Sequence, residues 1–359
     1  MKSEVKEIYF IDFLRFVFSI TIVFYHSWIF AGTFGKGYFN YGFLSVDFYF
    51  IVTGYLMMNS IYKKPIDDNG VLYQSSEYIF LKFKRLFPGL VVAFIAGLFL
   101  TYESRMFSIK FLLSRDFLAE LFPMGVLGYD ITINGSWWYL SAMFLVLWVL
   151  YPLANKFRKG YLVYICPLII LFTIGFVKTN GININDPISS SCFLKSGFYK
   201  AVIFIPLGNM VYILSNRLIK KDLSLLKVVI LSAIEVILYG VIFLNMHYDI
   251  MTSTTAAVLM ALVLTITFSN TTFHKYIFKH AFWKHLGTYG FYIFLCNIAV
   301  RNFFVTHYTD LGLSYKRLFF EFCLASIIIS LILYFCVEFC YKRIVKKIVR
   351  KIKIHKSAV

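Results

Sequence analysis

Arg15 and His26 stand eleven positions apart inside one apolar run that extends from Ile8 to Phe30. A guanidinium in the middle of a membrane-crossing helix costs about 2.5–3.5 kcal/mol on insertion scales, so such a residue faces a cavity or a partner. At about 3.6 residues per turn, eleven positions make roughly three turns and about 16 Å of rise. That spacing predicts one shared helix face, with the two groups near opposite ends. Asp12 precedes Arg15 by three positions, the separation at which side chains on a helix meet. A second apolar run carries Asp47 in Gly42-Phe43-Leu44-Ser45-Val46-Asp47-Phe48-Tyr49-Phe50, followed by Thr53-Gly54-Tyr55. A buried carboxylate needs a partner, and Arg15 or His26 on the neighbouring helix is the expected one. The pair reads equally well as a structural ion pair and as part of a catalytic site. Lys82-Phe83-Lys84-Arg85, just before Pro88, marks the inner face of a membrane or grips an anionic ligand, since Arg and Lys are the usual phosphate binders.

These residues sit in a chain built to cross a bilayer many times. Of its 359 residues 60% are hydrophobic and 15% charged, too apolar for an ordinary soluble domain. Runs of about 20 apolar residues recur along its length, the pattern of a polytopic helical membrane protein. Ten are expected, near 8–30, 41–62, 86–102, 137–156, 160–177, 199–219, 225–246, 251–270, 286–305 and 317–341. The fold class is therefore all-α, with one membrane domain over 1–345 and a basic tail over 346–359. The first run is too long for a signal peptide, is interrupted by Arg15 and lacks a small-residue cleavage site. Residues 109–121 have their charges on one side and suggest an interfacial helix. Gly42 and Gly54 are expected to let helices approach closely rather than to bind a ligand.

The net charge of +18 does not point to nucleic acid. Most of the 36 Lys and Arg residues lie in alternate loops together with the two termini, which predicts both termini in the cytoplasm. The lysine-rich stretch from Lys342 to Lys356 then anchors topology and touches anionic lipid. Arg15 falls in the cytoplasmic half of the membrane and His26 near the outer surface. An imidazole, which titrates near pH ~6.5, is a suitable general base there. Six cysteines form no scaffold; Cys336 and Cys340 are one turn apart without the further Cys or His of a metal site. His274, His280 and His285 fall in a cytoplasmic loop and are expected to be solvated. Glu235 and Glu338 are further acids near span ends, and Glu338 is expected to pair with the lysine-rich tail.

The chain resembles the acyltransferase-3 family of integral membrane acyltransferases along nearly its whole length. Asp12-Phe13-Leu14-Arg15 to His26 is similar to the family's basic-residue–ten–His signature in the first helix. Ser45-Val46-Asp47-Phe48-Tyr49-Phe50 to Thr53-Gly54-Tyr55 resembles its Gly-Val-Asp-x-Phe-Phe…Ser-Gly-Tyr stretch. Lys82 to Arg85 before Pro88 resembles its cytoplasmic Arg-x-x-Arg, with Lys in the first place. Ser136-Trp137-Trp138-Tyr139-Leu140 to Pro152 is similar to its Trp-Tyr-Leu…Pro segment, with Met143 near the place of a common Glu. Leu286-Gly287-Thr288-Tyr289 to Leu295 resembles its late Gly-x-x-Ser-Tyr-x-x-Tyr-Leu motif, with Asn297 in the slot of the family's His. Glu338 lacks the Pro that often follows the terminal Glu.

The resemblance implies movement of an acyl group, usually acetyl, from cytoplasmic acyl-CoA to a hydroxyl on an extracytoplasmic glycan, across a bacterial cytoplasmic membrane. No permanently bound cofactor or metal is implied; acetyl-CoA or another acyl-CoA is the donor substrate, the glycan the acceptor and the bilayer the solvent. It implies His26 as general base, with Arg15 and Asp47 as its catalytic companions. Arg15, Lys82 and Arg85 would hold the donor, and Ser136, Trp138 and Tyr55 the acceptor. Asp12, Asn297 and Glu338 would support them. Two other classes fit ten spans with intramembrane charges: a transporter or flippase for a glycan or lipid-linked intermediate, which needs no acyl-CoA, and a sensor or scaffold, for which His26 would be dispensable. Pro/Gly-broken helices repeated in two halves would favour the transporter, and no such pairing is visible.

Overall fold

A computed structural model describes residues 8–31, 37–65, 70–101, 115–122, 124–129, 133–191, 194–219 and 223–344. Its helices are α1 Tyr9–His26, α2 Ser45–Lys63, α3 Val71–Leu100, α4 Arg115–Leu121, α5 Trp138–Phe157, α6 Cys166–Thr179, α7 Gly197–Ile219, α8 Leu225–Tyr248, α9 Ser253–Ser269, α10 His274–Ile277, α11 Phe282–Tyr308 and α12 Tyr315–Phe335. The π-helical turns Tyr161–Ile165 and Cys336–Tyr341 extend α6 and α12. Ser190–Ser191 and Leu194–Lys195 form a two-stranded antiparallel clip.

Eight of these helical segments are long and apolar enough to cross a membrane. All ten expected runs are helical, but α9 is short at 17 residues and α11 falls outside the eight. Asn297, Arg301 and Asn302 make α11 the more polar helix, and it tolerates them because its centre is enclosed: Tyr292 through Val300 are all buried. The peripheral helices show the opposite pattern. Leu171 and Phe172 on α6, Val236 and Ile237 on α8, and Leu331 and Ile332 on α12 are exposed. Apolar faces of this extent need lipid against them.

Two helix pairs carry the site, and each runs parallel. Along α1 and α11, a Cβ added to Gly287 would lie 2.7 Å from the Asp12 Cβ, and one on Gly290 would lie 2.9 Å from the Phe16 Cα. Further along, the Phe30 and Phe304 rings are 6.2 Å apart. Along α2 and α7, a Cβ on Gly54 would meet the Ile205 carbonyl oxygen at 1.9 Å, and one on Gly208 the Ile51 carbonyl oxygen at 2.0 Å. Only residues without a Cβ permit backbones this close. A Cβ on Gly42 would likewise lie 2.7 Å from the Thr21 carbonyl oxygen, so Gly42 and Gly54 serve helix approach as their placement suggests.

One boundary differs from expectation. The third helix does not begin near residue 86: α3 starts at Val71 and runs unbroken through Pro88 for 30 residues. Lys82 and Arg85 therefore project from a helix rather than a loop. Proline removes one backbone donor, a loss that neighbouring helices compensate in membrane proteins. Thirty residues rise about 45 Å, well beyond a hydrocarbon core of about 30 Å. Of the expected interfacial helix, 115–121 is helical, while 109–114 lies outside the described residues. So do Cys192 and the tail beyond 344.

Candidate active site

Near the N-terminal end of α1, Arg15 Nη1 donates to Asp12 Oδ1 at 2.7 Å, as the three-residue spacing requires. Arg85 and Lys82 on α3 belong to the same electrostatic group, for the charges of Arg15 and Arg85 both act on Lys82. Lys82 is half-buried, with its ammonium 6.0 Å from the centre of the Tyr78 ring. Among the described residues the one ion pair in this group is Arg15–Asp12. Three cations held near one another with one described acid among them leave this locus net positive, a charge suited to an anion.

Above it lies a layer of hydroxyls on which the sequence reading is silent. Tyr49 Oη is 2.5 Å from the Arg15 carbonyl oxygen and 2.6 Å from Ser19 Oγ. Ser19 Oγ is also 2.7 Å from the Gly290 carbonyl oxygen. Two hydroxyl protons thus serve three contacts. Tyr139 Oη donates to the Tyr49 carbonyl oxygen at 3.3 Å and lies 3.2 Å from Thr53 Oγ1. Alternation of Tyr and Ser/Thr among apolar residues was the available signal, but aromatic residues at helical spacing are ordinary core.

The short helical turn Gly135–Trp137 is locked onto the backbone of α11. Ser136 Oγ donates to the Phe294 carbonyl oxygen at 3.1 Å and Trp137 Nε1 to the Leu295 carbonyl oxygen at 3.2 Å. By the α1–α11 register these carbonyls stand level with Ser19 and Ile20, between Arg15 and His26. Asn297 reaches the same place: its Nδ2 donates to the Phe294 carbonyl oxygen at 2.7 Å. Its Oδ1 is buried and has no hydrogen-bond partner. Trp138 is buried against Phe50 and stacked over Gly197.

His26 closes the C-terminal end of α1. Its Nδ1 is buried without a hydrogen-bond partner, and its ring lies 4.9 Å from that of Tyr25. The charge that acts on it is Arg301 of α11.

Three expected placements are corrected. Asp47 pairs with neither Arg15 nor His26. Its Oδ1 is 2.8 Å from Nζ of Lys200 on α7, and both side chains are almost wholly buried. The reason is rotational, because the same packing that joins Gly54 to Gly208 turns Asp47 away from α1. Lys200 at the start of an apolar run looks like a span-flanking charge, and nothing in the sequence marks it as a core residue. Tyr55 is not beside Ser136 or Trp138; it stacks on Phe268 at 3.5 Å and packs on Tyr212. His274 is not solvated. It is buried under Phe10, with Nδ1 3.1 Å from Glu235 Oε2 and 2.6 Å from Thr272 Oγ1. Of the other two histidines, His280 is exposed and His285 Nδ1 lies 2.9 Å from Tyr334 Oη. Glu338 accepts from Tyr292 Oη at 3.1 Å and pairs with Lys342, the first residue of the basic stretch.

The sequence signature of the acyltransferase-3 family, an acyltransferase domain, matches residues 8–337. The chain belongs to the acyltransferase-3 family. It is also similar to provisionally named O-acetyltransferases of Staphylococcus aureus strains COL, MSSA476 and MRSA252, with 27% identity over 134 residues. That stretch is 36% of this chain and 18% of each relative, so the comparison spans less than a fifth of those proteins. No solved structure matches the chain.

Proposed function

We propose that this family member is a membrane O-acyltransferase that moves an acyl group, acetyl by the names of its relatives, from cytoplasmic acyl-CoA to a hydroxyl of an extracytoplasmic glycan. One observation carries the reading. Helix α1 holds an under-neutralised cation group toward one end and an imidazole whose Nδ1 is unpartnered at the other, with the hydroxyls of Ser19, Tyr49 and Tyr139 beside the cation group. Arg15, Lys82 and Arg85 bind the phosphates of CoA, and the elongated thioester arm extends from them toward His26. His26 takes the proton of the acceptor hydroxyl as its oxygen forms a bond to the thioester carbonyl carbon. The tetrahedral intermediate then breaks its C–S bond, and the proton leaves with the CoA thiolate. The ester remains on the glycan.

This route needs both termini in the cytoplasm of a bacterium and ten crossings, α9 and α11 included. The parallel run of α1 with α11 supports that number: α11 is ninth in order, and odd-numbered crossings share a direction. Mass analysis of surface glycans, with and without this protein, tests the activity. Ester-linked acyl groups are expected only where the wild type is present, and a well-expressed His26→Ala variant is expected to lack them. Full acylation with that variant would remove the general-base role, and uptake or export of a glycan without any need for acyl-CoA would replace the enzyme by a transporter.

A further inference from the structure

Arg301 is the second charged group at the outer end of the site, and the reaction as proposed leaves it unused. The α1–α11 register sets its position. Contacts at Asp12–Gly287, Phe16–Gly290 and Phe30–Phe304 hold the offset constant to within one residue along both helices, and that offset sets Arg301 level with His26 and Ser27. Its charge acts on His26 and on Tyr25 beside it.

The guanidinium is half-buried and its hydrogen bonds go to one neutral atom. Nη2 and Nε donate to Asn302 Oδ1 at 2.9 and 3.3 Å. Among the described residues no carboxylate pairs with it. Asp186 acts on Tyr25 with the opposite sign but is not among the groups acting on Arg301. A partly desolvated cation without a counter-charge is costly to keep. Membrane proteins retain such residues at substrate paths. A neutral sugar hydroxyl gives no reason for the cost, since a neutral donor would bind it as well. The planar fork of Arg fits a carboxylate or phosphate with two parallel hydrogen bonds.

We propose that Arg301 binds an acidic group on the acceptor, beside the hydroxyl that His26 deprotonates, so that the glycan acylated is an acidic one. This rests on the reading of His26 given above. The acid is a sugar carboxylate or a backbone phosphate, and both present the same anionic oxygens to the fork.

Titration calorimetry on the full-length protein in detergent separates the outcomes. The probes are an oligogalacturonate, its carboxamide derivative of the same length, and a glycerol-phosphate oligomer. The wild type is expected to bind at least one acidic probe in preference to the carboxamide, and which one distinguishes carboxylate from phosphate. Arg301→Gln is expected to weaken that acidic probe by about 10- to 100-fold, the worth of one charge-assisted contact, and to leave the carboxamide unchanged. Arg301→Lys, which keeps the charge and guards against a folding artefact, is expected to retain part of the preference. Equal weakening of acidic and neutral probes, or no preference for acid in the wild type, would overturn the proposal. His26→Ala separates the two layers of inference. It is expected to bind the acidic probe normally and fail in acyl transfer, whereas a His26→Ala enzyme that still acylates would sink the base assignment without touching the anion site.

Discussion

Asp47 and Lys200 are withdrawn from solvent together, with an Nζ–Oδ1 distance of 2.8 Å and the Phe43 ring 5.1 Å from the ammonium. Such a pair gains little over a well-packed apolar substitute, yet losing one partner strands a bare charge at a cost of about 3–5 kcal/mol. Lys200→Met is therefore expected to lower the thermal midpoint of the detergent-solubilised protein sharply, and Asp47→Asn with Lys200→Met to recover most of the loss. Fluorescence-detected size exclusion after heating reads both. A catalytic Asp47 would give a different pattern, with stability restored in the double variant and acyl transfer still absent. The cycle thus decides between the two roles left open for this carboxylate. Glu235 and His274 form a comparable buried unit, shared with Thr267 and Thr272, at the N-terminal end of α1 and away from His26.

At the scale of elements, the α2–α7 crossing decides which side chains can meet at all. Gly54 and Gly208 each sit where a methyl group would fall about 2 Å from a backbone oxygen of the other helix, and backbone cannot yield as a side-chain tip can. Gly54→Ala is expected to abolish the monodisperse folded peak or to separate α2 from α7. Gly240→Ala on α8 has nothing within 4 Å of the added atom and is expected to be neutral to slightly stabilising, since Ala is the better helix former by about 1 kcal/mol. Loss of the folded peak in both variants would mean that helix packing generally, and not this crossing, is the sensitive element. The same crossing holds Asp47 against Lys200, so its loosening is expected to cost activity before the protein unfolds.

The whole molecule is a bundle in which α11 is enclosed by α1, α3 and α12, and every proposed role depends on which way it faces. Cytoplasmic termini would leave Lys82 and Arg85 on the side that holds acyl-CoA and His26 and Arg301 on the side that holds glycan. Single-cysteine labelling in a Cys-free background tests this. Residue 192 is expected to react from outside intact cells, while residues 64 and 359 are expected to be shielded until the membrane is opened. The reverse pattern would put His26 in the cytoplasm, and an extracytoplasmic acceptor would then be untenable.

Composition and periodicity determined that this chain is a bundle of apolar helices, because ten runs of that length have no other stable place for their backbone and side chains. Spacing also determined the Asp12–Arg15 pair and the axial separation of Arg15 from His26, since both lie within one helix, whose geometry is set by local hydrogen bonds. Gly42 and Gly54 announced close approaches for the same local reason: a missing Cβ is visible in one dimension. What the tertiary structure alone decided are the meetings between helices. Lys200 answers Asp47, Arg301 stands level with His26, His274 is drawn under Phe10 onto Glu235, and Tyr55 turns toward Phe268. Each depends on the rotation and register of two segments far apart in the chain. Those are set by the fit of whole faces, and no single residue carries that information.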